Sequence, residues 1–409
     1  MELELRTQRE RRPTAAGLRV ALVSETYPPD VNGVAHTLAR LAEGLVDLGH
    51  RVTLVRPRPG SGSVPVVAAG PGESLQVIGV PLPFYREVRL GLVRPGRLVR
   101  LWRGQCPDVV YIATEGPLGW SALRAARHLG LPVVSGFHTN FDSYSAHYGA
   151  AWLLRPLRAY LRRWHNATAL TLVPTEAQRA ALLAAGYARV EVLGRGVDGR
   201  LFHPMHRAPS LRAEWGVAAD GPVVLHVGRL APEKNLDLLV RAWRALHARN
   251  PDARLVVVGD GPARAGLQAA LPEAHFAGMR RGMDLANHFA SADLFLFPSL
   301  TETFGNVVLE AMASGLAIVA YDVAAAGALL TDGVSGRLAR AGDEAAFVAA
   351  ACELARTGAP LARYRVAARQ HAEGCAWPQV QRRFAALLAA AVTPLADGTG
   401  DVRGPVRAA

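Results

Sequence analysis

Phe297-Pro-Ser-Leu-Thr-Glu-Thr-Phe-Gly-Asn-Val-Val-Leu-Glu-Ala-Met-Ala-Ser-Gly315 is the stretch from which the architecture of this chain is read. It begins at the end of an apolar run, Asp293–Phe297, passes a polar turn containing Gly305, and enters an Ala/Leu/Met-rich segment that predicts a helix. Strand, glycine turn and helix make half of a βαβ unit. The unpaired N–H groups of the helix start at Asn306–Val308 then point past the strand's carboxyl end, a ready site for a diphosphate. Glu302 and Glu310, eight residues apart, place one carboxylate before the helix and one within it. That spacing lets them flank a phosphate site, near a sugar on one side and a ribose on the other. Taken as a bare pair, they read first as a helix cap, Glu302, and a solvated helix residue, Glu310.

Working outward, short apolar runs alternate with Ala/Leu-rich segments throughout. In the first half these runs are Leu18–Val23, Arg51–Arg56, Gln76–Val80, Val109–Ala113, Pro132–Ser135 and Ala169–Val173; in the second, Val223–Val227, Arg254–Val258, Asp293–Phe297 and Leu316–Ala320. Continuous apolar runs are what parallel strands covered by helices on both faces require. The stretch Gly194–Pro222 has no clear strand and contains Phe202-His203-Pro204, so the domain link is expected there. The expected organisation is a tail at 1–17, a Rossmann-like domain at 18–194 and a second at 195–375. A helix at 376–392 crosses back to the first, and a tail follows at 393–409. At 409 residues, 50% hydrophobic and 20% charged, the chain is globular and long enough for two cores. Two doubly wound domains in series create a ligand cleft facing the carboxyl ends of their strands.

Directly after the first run of the second half comes Val227-Gly-Arg-Leu-Ala-Pro-Glu-Lys-Asn235. Arg229 and Lys234 sit there in a loop and early helix, where a guanidinium fork and an ammonium can reach phosphate oxygens. Lys234 is the single lysine of the chain, whose Lys+Arg total is 46. A lone lysine among arginines, placed in a phosphate-binding loop, reads as selected for that place.

Together these segments resemble the family-4 retaining glycosyltransferases, whose E-x7-E motif matches Glu302 to Glu310. Further segments carry the resemblance across about residues 18–392. Val258-Gly-Asp-Gly-Pro262 is similar to the family's turn after the second strand of the donor domain, and Phe276-Ala-Gly-Met279 to the loop whose backbone receives the base. Glu25-Thr-Tyr-Pro-Pro-Asp-Val-Asn-Gly-Val34 resembles the loop whose glycine, here Gly33, backs onto the donor phosphates. Phe137-His-Thr-Asn-Phe-Asp-Ser-Tyr144 resembles the segment holding the active-site histidine, here His138, and Arg195-Gly-Val-Asp198 the turn at the domain junction. One region departs: relatives carry a glycine pair and a glutamate where this chain has Tyr321-Asp-Val-Ala-Ala-Ala-Gly-Ala-Leu-Leu330.

The resemblance implies two Rossmann-like domains facing a cleft, the GT-B architecture. It implies retaining transfer of a hexosyl group from a UDP- or GDP-linked sugar to an acceptor hydroxyl. Donor binding is assigned to Gly33, Gly228, Arg229, Lys234, Gly261, Met279, Glu302, Phe304, Gly305, Asn306, Val307 and Glu310. Catalytic roles go to His138, Arg229, Lys234 and Glu302, with His138 orienting sugar or acceptor. No two aspartates are separated by a single residue, so the D-x-D metal clasp is absent. No metal or other cofactor is expected. The leaving diphosphate is to be neutralised by Arg229, Lys234 and the helix start. A sugar-nucleotide epimerase of the same architecture and a non-catalytic two-domain sugar-binding protein remain alternatives, because fold does not fix function.

The net charge of +12 is unevenly placed: residues 1–190 hold 23 Arg against 13 acids, an excess of 10, and the remainder 23 bases against 21 acids, an excess of 2. No nucleic-acid module accompanies this charge, and aromatics are only 7%, so nucleic acid is not the expected partner. In Pro156-Leu-Arg-Ala-Tyr-Leu-Arg-Arg-Trp164, Leu157, Tyr160, Leu161 and Trp164 recur on one helical face while Arg158, Arg162 and Arg163 fall off it. Arg86, Arg89, Arg94, Arg97, Arg100 and Arg103 form a second cluster interleaved with Phe84, Tyr85, Leu90, Leu92 and Val93. Both suit docking on an anionic membrane with a lipid or lipid-linked acceptor; the same stripe would equally pack an ordinary helix on a sheet. Cys106, Cys352 and Cys375 lack metal or redox spacing, and the N-terminus lacks an apolar leader. The expected location is the cytoplasm, peripheral on the inner face of the membrane where the basic half docks. Oligomeric state is left open.

Overall fold

The computed structural model describes residues 17–30, 32–59, 74–81, 89–138, 154–217, 221–355 and 359–393. Most of both expected tails, all of Thr139–Tyr144, and Phe84, Tyr85 and Arg86 of the second arginine cluster lie outside the described residues.

The first domain is built on eight strands: β1 (Arg19–Val23), β2 (Arg51–Pro57), β3 (Ser74–Pro81), β4 (Arg89–Leu92), β5 (Val109–Ile112), β6 (Val133–Gly136), β7 (Leu170–Val173) and β8 (Val190–Val192). Their order is β4-β3-β2-β1-β5-β6-β7-β8. All neighbours pair in parallel except β4, which runs antiparallel on β3. The second domain has six parallel strands, β9 (Val223–Val227), β10 (Arg254–Val258), β11 (His275–Gly278), β12 (Leu294–Phe297), β13 (Ala317–Tyr321) and β14 (Arg337–Ala339), in the order β11-β10-β9-β12-β13-β14. This is the paired doubly wound architecture that the strand pattern predicts. Four strands go beyond that pattern, β4, β8, β11 and β14, and each is the outermost strand of its sheet.

In both sheets the chain winds out to one side of its first strand and then returns to the other. The order therefore reverses between β1 and β5 in the first domain and between β9 and β12 in the second. At such a switch the loops leaving adjacent strands diverge, opening a crevice at the carboxyl edge.

The chain crosses between domains twice, and the crossings pair with each other. Val197 bridges Ala376, and its N–H donates to the Cys375 carbonyl at 2.9 Å. The last helix, Trp377–Val392, then lies on the first domain. Its Trp377, Phe384, Leu387 and Leu388 join Val20, Leu22, Leu41 and Tyr111 in one core cluster. Each such side chain contributes about 1.5–3 kcal/mol by burial, so the last helix is held on the first domain by apolar packing.

Candidate active site

The second-domain crevice is formed by two loops. After β9, Gly228–Asn235 leads into a helix at Leu236–His247; after β12, Pro298–Gly305 leads into α10 (Asn306–Ala313). Gly305 holds φ +92, the left-handed backbone that an L side chain rarely adopts, and its missing Cβ would stand 3.4 Å from the Phe297 ring. The chain can therefore turn sharply off β12 and start α10 with the N–H groups of Asn306 and Val307 at its open end; the third expected donor, Val308 N–H, is taken by the Gly305 carbonyl at 3.0 Å. Gly259, after β10, does a related job: its φ is +137 and a Cβ there would lie 1.9 Å from the Gly228 carbonyl oxygen. The Gly259–Gly261 turn thus packs backbone to backbone against the Gly228–Leu230 loop and fixes its height.

These loops bring Lys234 and Glu302 together as an ion pair, both largely shielded from water. Thr301 Oγ1 donates to the Glu233 carbonyl at 3.1 Å and closes the same two loops again. Arg229 stands exposed beside them. Glu310, half-buried on α10, has its carboxyl pushed up to about 7 by burial. Met279 follows β11 and is exposed on the same carboxyl edge, beside Arg281.

Across the cleft, Gly33 opens the first helix, α1 (Gly33–Asp47), capped by the Asn32 side chain accepting from Ala35 N–H at 2.8 Å. A Cβ on Gly33 would lie 3.5 Å from Asn306 Nδ2, so the starts of α1 and α10 face each other over a gap one small group wide. His138, just after β6, is buried. Arg195 Nη2 donates to its Nδ1 at 2.8 Å, and its Nε2 meets the Tyr111 hydroxyl at 2.9 Å. Burial, then the charges of Arg195 and His165, hold the His138 imidazole well below its ordinary range. Arg195 in turn lies 6.0 Å from the centroid of the Phe304 ring, in the loop before α10. The junction turn therefore contributes a buried cation to the site, which its sequence pattern did not reveal.

The first-domain crevice holds two further buried acids. Glu25, after β1, accepts from Leu118 N–H at 3.1 Å and presses on Gly116, and burial pushes its carboxyl up to about 7. Glu115, after β5, meets His165 Nε2 at 3.2 Å, while His165 Nδ1 meets the Ser135 hydroxyl at 2.9 Å. Beside them opens a groove of about 900 Å³ lined by Ile78, Leu92, Val93, Trp120 and Tyr160, with Arg94 and Arg97 at its margin. Ile78 is 66% exposed and Leu92 46%, unusual values for large apolar side chains lining a concavity.

The helix holding Arg158, Arg162 and Arg163 is α4 (Leu154–Asn166), and all three arginines are exposed. Its apolar stripe is not a free face, however. Leu161 and Trp164 are buried, Trp164 in the first-domain core, because a helix on a doubly wound sheet must cover that sheet. Only Leu157 and Tyr160 stay partly open, and the Tyr160 hydroxyl donates to the Glu115 carbonyl at 3.0 Å. The second arginine cluster is also split. Arg89 and Leu92 belong to edge strand β4, while Arg97, Arg100 and Arg103 are on a helix, Pro95–Gln105, whose Leu98 and Trp102 are buried. Among the described residues no three His, Cys, Asp or Glu side chains gather as a metal-holding group, and no helix is long and apolar enough to cross a membrane.

Two doubly wound domains, with a basic loop and a helix start of one facing a glycine-opened helix of the other, define a glycosyl-transfer enzyme of the GT-B architecture. Family comparison is specific: residues 31–201 match the model "Glycosyltransferase Family 4" and residues 221–357 match "Glycosyl transferases group 1". The chain belongs to this family, and it is a glycosyltransferase that uses a nucleotide sugar. It is 38% identical over 369 residues to a GDP-mannose-dependent alpha-mannosyltransferase of Mycobacterium tuberculosis, covering 89% of this chain and 94% of that one. It is 28% identical over 345 residues to an alpha-monoglucosyldiacylglycerol synthase of Acholeplasma laidlawii, covering 78% and 84%. Among solved structures, Anabaena Alr3699/HepE with UDP and glucose superposes with a TM-score of 0.72 at 21% identity, covering 91% of this chain and all of that one.

Proposed function

We propose that the chain transfers a mannosyl group from GDP-mannose, with retention and without a metal ion, to a hydroxyl of a membrane lipid or lipid-linked sugar. The observation that carries this reading is the approach of Gly33 to Asn306 beside Lys234 and Arg229, which gathers cationic groups and helix-start N–H donors of both domains at one place in the cleft. In the transfer the C1–O bond to the diphosphate breaks and the acceptor oxygen bonds C1 on the same face. The acceptor proton passes to the departing phosphate. Lys234, Arg229 and the α10 start answer the charge that grows on the leaving group, so their contribution is to rate. Glu310 suits the ribose and Glu302 the sugar side. GDP-mannose is favoured by the 38% identical relative that depends on it.

A lipid acceptor is supported by the groove beside Glu115, whose open apolar lining and arginine margin suit an acyl chain below an anionic headgroup, and by relatives named as glycolipid synthases. Peripheral binding of the first domain to the inner face of the membrane goes with it. The test is transfer from GDP-mannose or UDP-glucose to diacylglycerol-based and water-soluble acceptors, with the product linkage read by NMR. Alpha linkage to lipid in the presence of EDTA is expected. An inverted linkage, or transfer restored only by Mn²⁺ or Mg²⁺, would overturn the mechanism, and a soluble acceptor preferred to every lipid would overturn the substrate class.

A further inference from the structure

We infer that Arg195 is a positioning residue that locks His138 as a neutral imidazole protonated on Nε2, making it a fixed N–H donor that cannot take a proton. The inference rests on the glycosyl-transfer reading only for its kinetic consequence; the geometry stands without it.

A guanidinium has N–H donors and no acceptor. Arg195 Nη2 lies 2.8 Å from His138 Nδ1, so Nδ1 must present its lone pair. The proton of the neutral ring then sits on Nε2 and is donated to the Tyr111 oxygen at 2.9 Å. A protonated ring would turn an N–H against the guanidinium and set two cations side by side in a buried site, where neither is well solvated. The other tautomer would lose the Arg195 bond. One form alone satisfies both contacts.

Every titratable group facing His138 among the described residues favours that form. Arg195 and His165 oppose a positive charge on it. Tyr111 is fully buried, its hydroxyl held protonated well above the ordinary range by burial. His165 is occupied by Glu115 and Ser135. Arg195 itself is buried, is pulled down to about 10 by that burial, and has no carboxylate within ion-pair distance among the described residues. Among the described residues its contacts are His138, the Leu193 carbonyl at 3.4 Å and the Phe304 ring. A buried cation without an acid is costly to keep. Its position gives the compensation a use: it joins the His138 loop of the first domain to the Phe304 loop that starts α10 in the second, so histidine and donor loop are set by one side chain.

The test is ¹⁵N NMR of ¹⁵N-histidine-labelled protein, with His138→Gln identifying the signal by subtraction. In the wild type, His138 should show Nε2–H with a bare Nδ1 and stay unchanged between about pH 5 and 9. Arg195→Met should release the ring into mixed tautomers, because nothing then holds Nδ1 as the acceptor. In the mannosyl-transfer assay it should lower kcat by about 10²-fold, with donor KM little changed. Arg195→Lys, which keeps a donor, should preserve the wild-type tautomer and recover part of kcat. A wild-type His138 that carries its proton on Nδ1 or titrates in this range overturns the inference. So does an Arg195→Met protein whose His138 signal matches wild type. Because the wild-type spectrum needs no substrate and no variant at Arg195, it stands or falls independently of whether transfer from GDP-mannose is found.

Discussion

The two domains share one winding pattern and differ in what they leave uncovered. In the second, β9, β12 and β13 are buried along their whole length and the cleft loops are pinned by backbone contacts between Gly259 and Gly228. In the first, β3 is largely open, β4 lies antiparallel at the edge, and Ile78, Leu92, Trp120 and Tyr160 are exposed around a groove. Charge follows the same division, with an excess of 10 on residues 1–190 and of 2 on the rest. A diphosphate is a small ligand that rewards preorganisation, so the domain that meets it can be closed and rigid. An amphiphile needs an apolar trough and a charged margin that stay open to a surface, and the first domain offers both.

The largest expected effect tests the closed half. Arg229→Ala or Lys234→Ala should lower kcat/KM by at least about 10²-fold; thermal melting should stay close to wild type for the exposed Arg229 and fall for Lys234→Ala, which leaves Glu302 unpaired. Wild-type turnover in either variant would remove the phosphate role and, with it, this contrast.

The open half is tested by vesicle co-sedimentation. Replacing Arg158, Arg162 and Arg163 with Ser should weaken binding to anionic vesicles by about 10²-fold, at roughly 1 kcal/mol per base, and raising salt should weaken the wild type in the same direction. Trp120→Ala with Tyr160→Ala should lower lipid transfer without changing donor KM. Equal binding to neutral and anionic vesicles would show that the basic half is ordinary surface.

Glu310 sharpens the comparison from the donor side. Its carboxyl is raised from 4.5 to about 7 in the folded protein. A raised carboxyl favours folding with its proton on, so that contribution is present below the unfolded value and lost as pH rises from 4.5 through about 7. Glu310→Gln should therefore melt relatively higher than wild type at pH 8 than at pH 4.5, while donor KM rises more than kcat falls. Glu302→Gln should show the reverse kinetic balance. A melting difference independent of pH would mean that Glu310 is not desolvated, and matching kinetics in the two variants would mean that the ribose and sugar roles are wrong.

The smallest effect concerns the segment that departs from the family pattern. Ala324 holds φ +50 at the start of the helix Ala324–Leu329, and the next N–H, that of Ala325, donates to the Phe304 carbonyl at 2.7 Å. A left-handed alanine costs about 1 kcal/mol. Ala324→Gly should raise the melting temperature by a few degrees; a lowered one would show that the alanine methyl packs usefully.

The sequence by itself determined the inner strands and the loops that follow them, because both are local. A strand with neighbours on both sides and helices on both faces is apolar at most positions, so β1, β2, β5, β9, β10, β12 and β13 could be read as nearly continuous runs. The edge strands β4, β8, β11 and β14 could not: half-covered and three or four residues long, they need no such run, and their pairing is decided by the sheet that reaches them. The same division holds in the cleft. Glu302, Gly305, Asn306 and Glu310 lie within one strand–turn–helix unit, and their spacing was legible. Tertiary structure alone decided that Arg195 reaches His138 and Phe304, that Lys234 pairs with Glu302, and that Ile78, Leu92, Trp120 and Tyr160 share a groove. It also decided that Leu161 and Trp164 face the core rather than a membrane, since a periodic apolar stripe records only that something covers it.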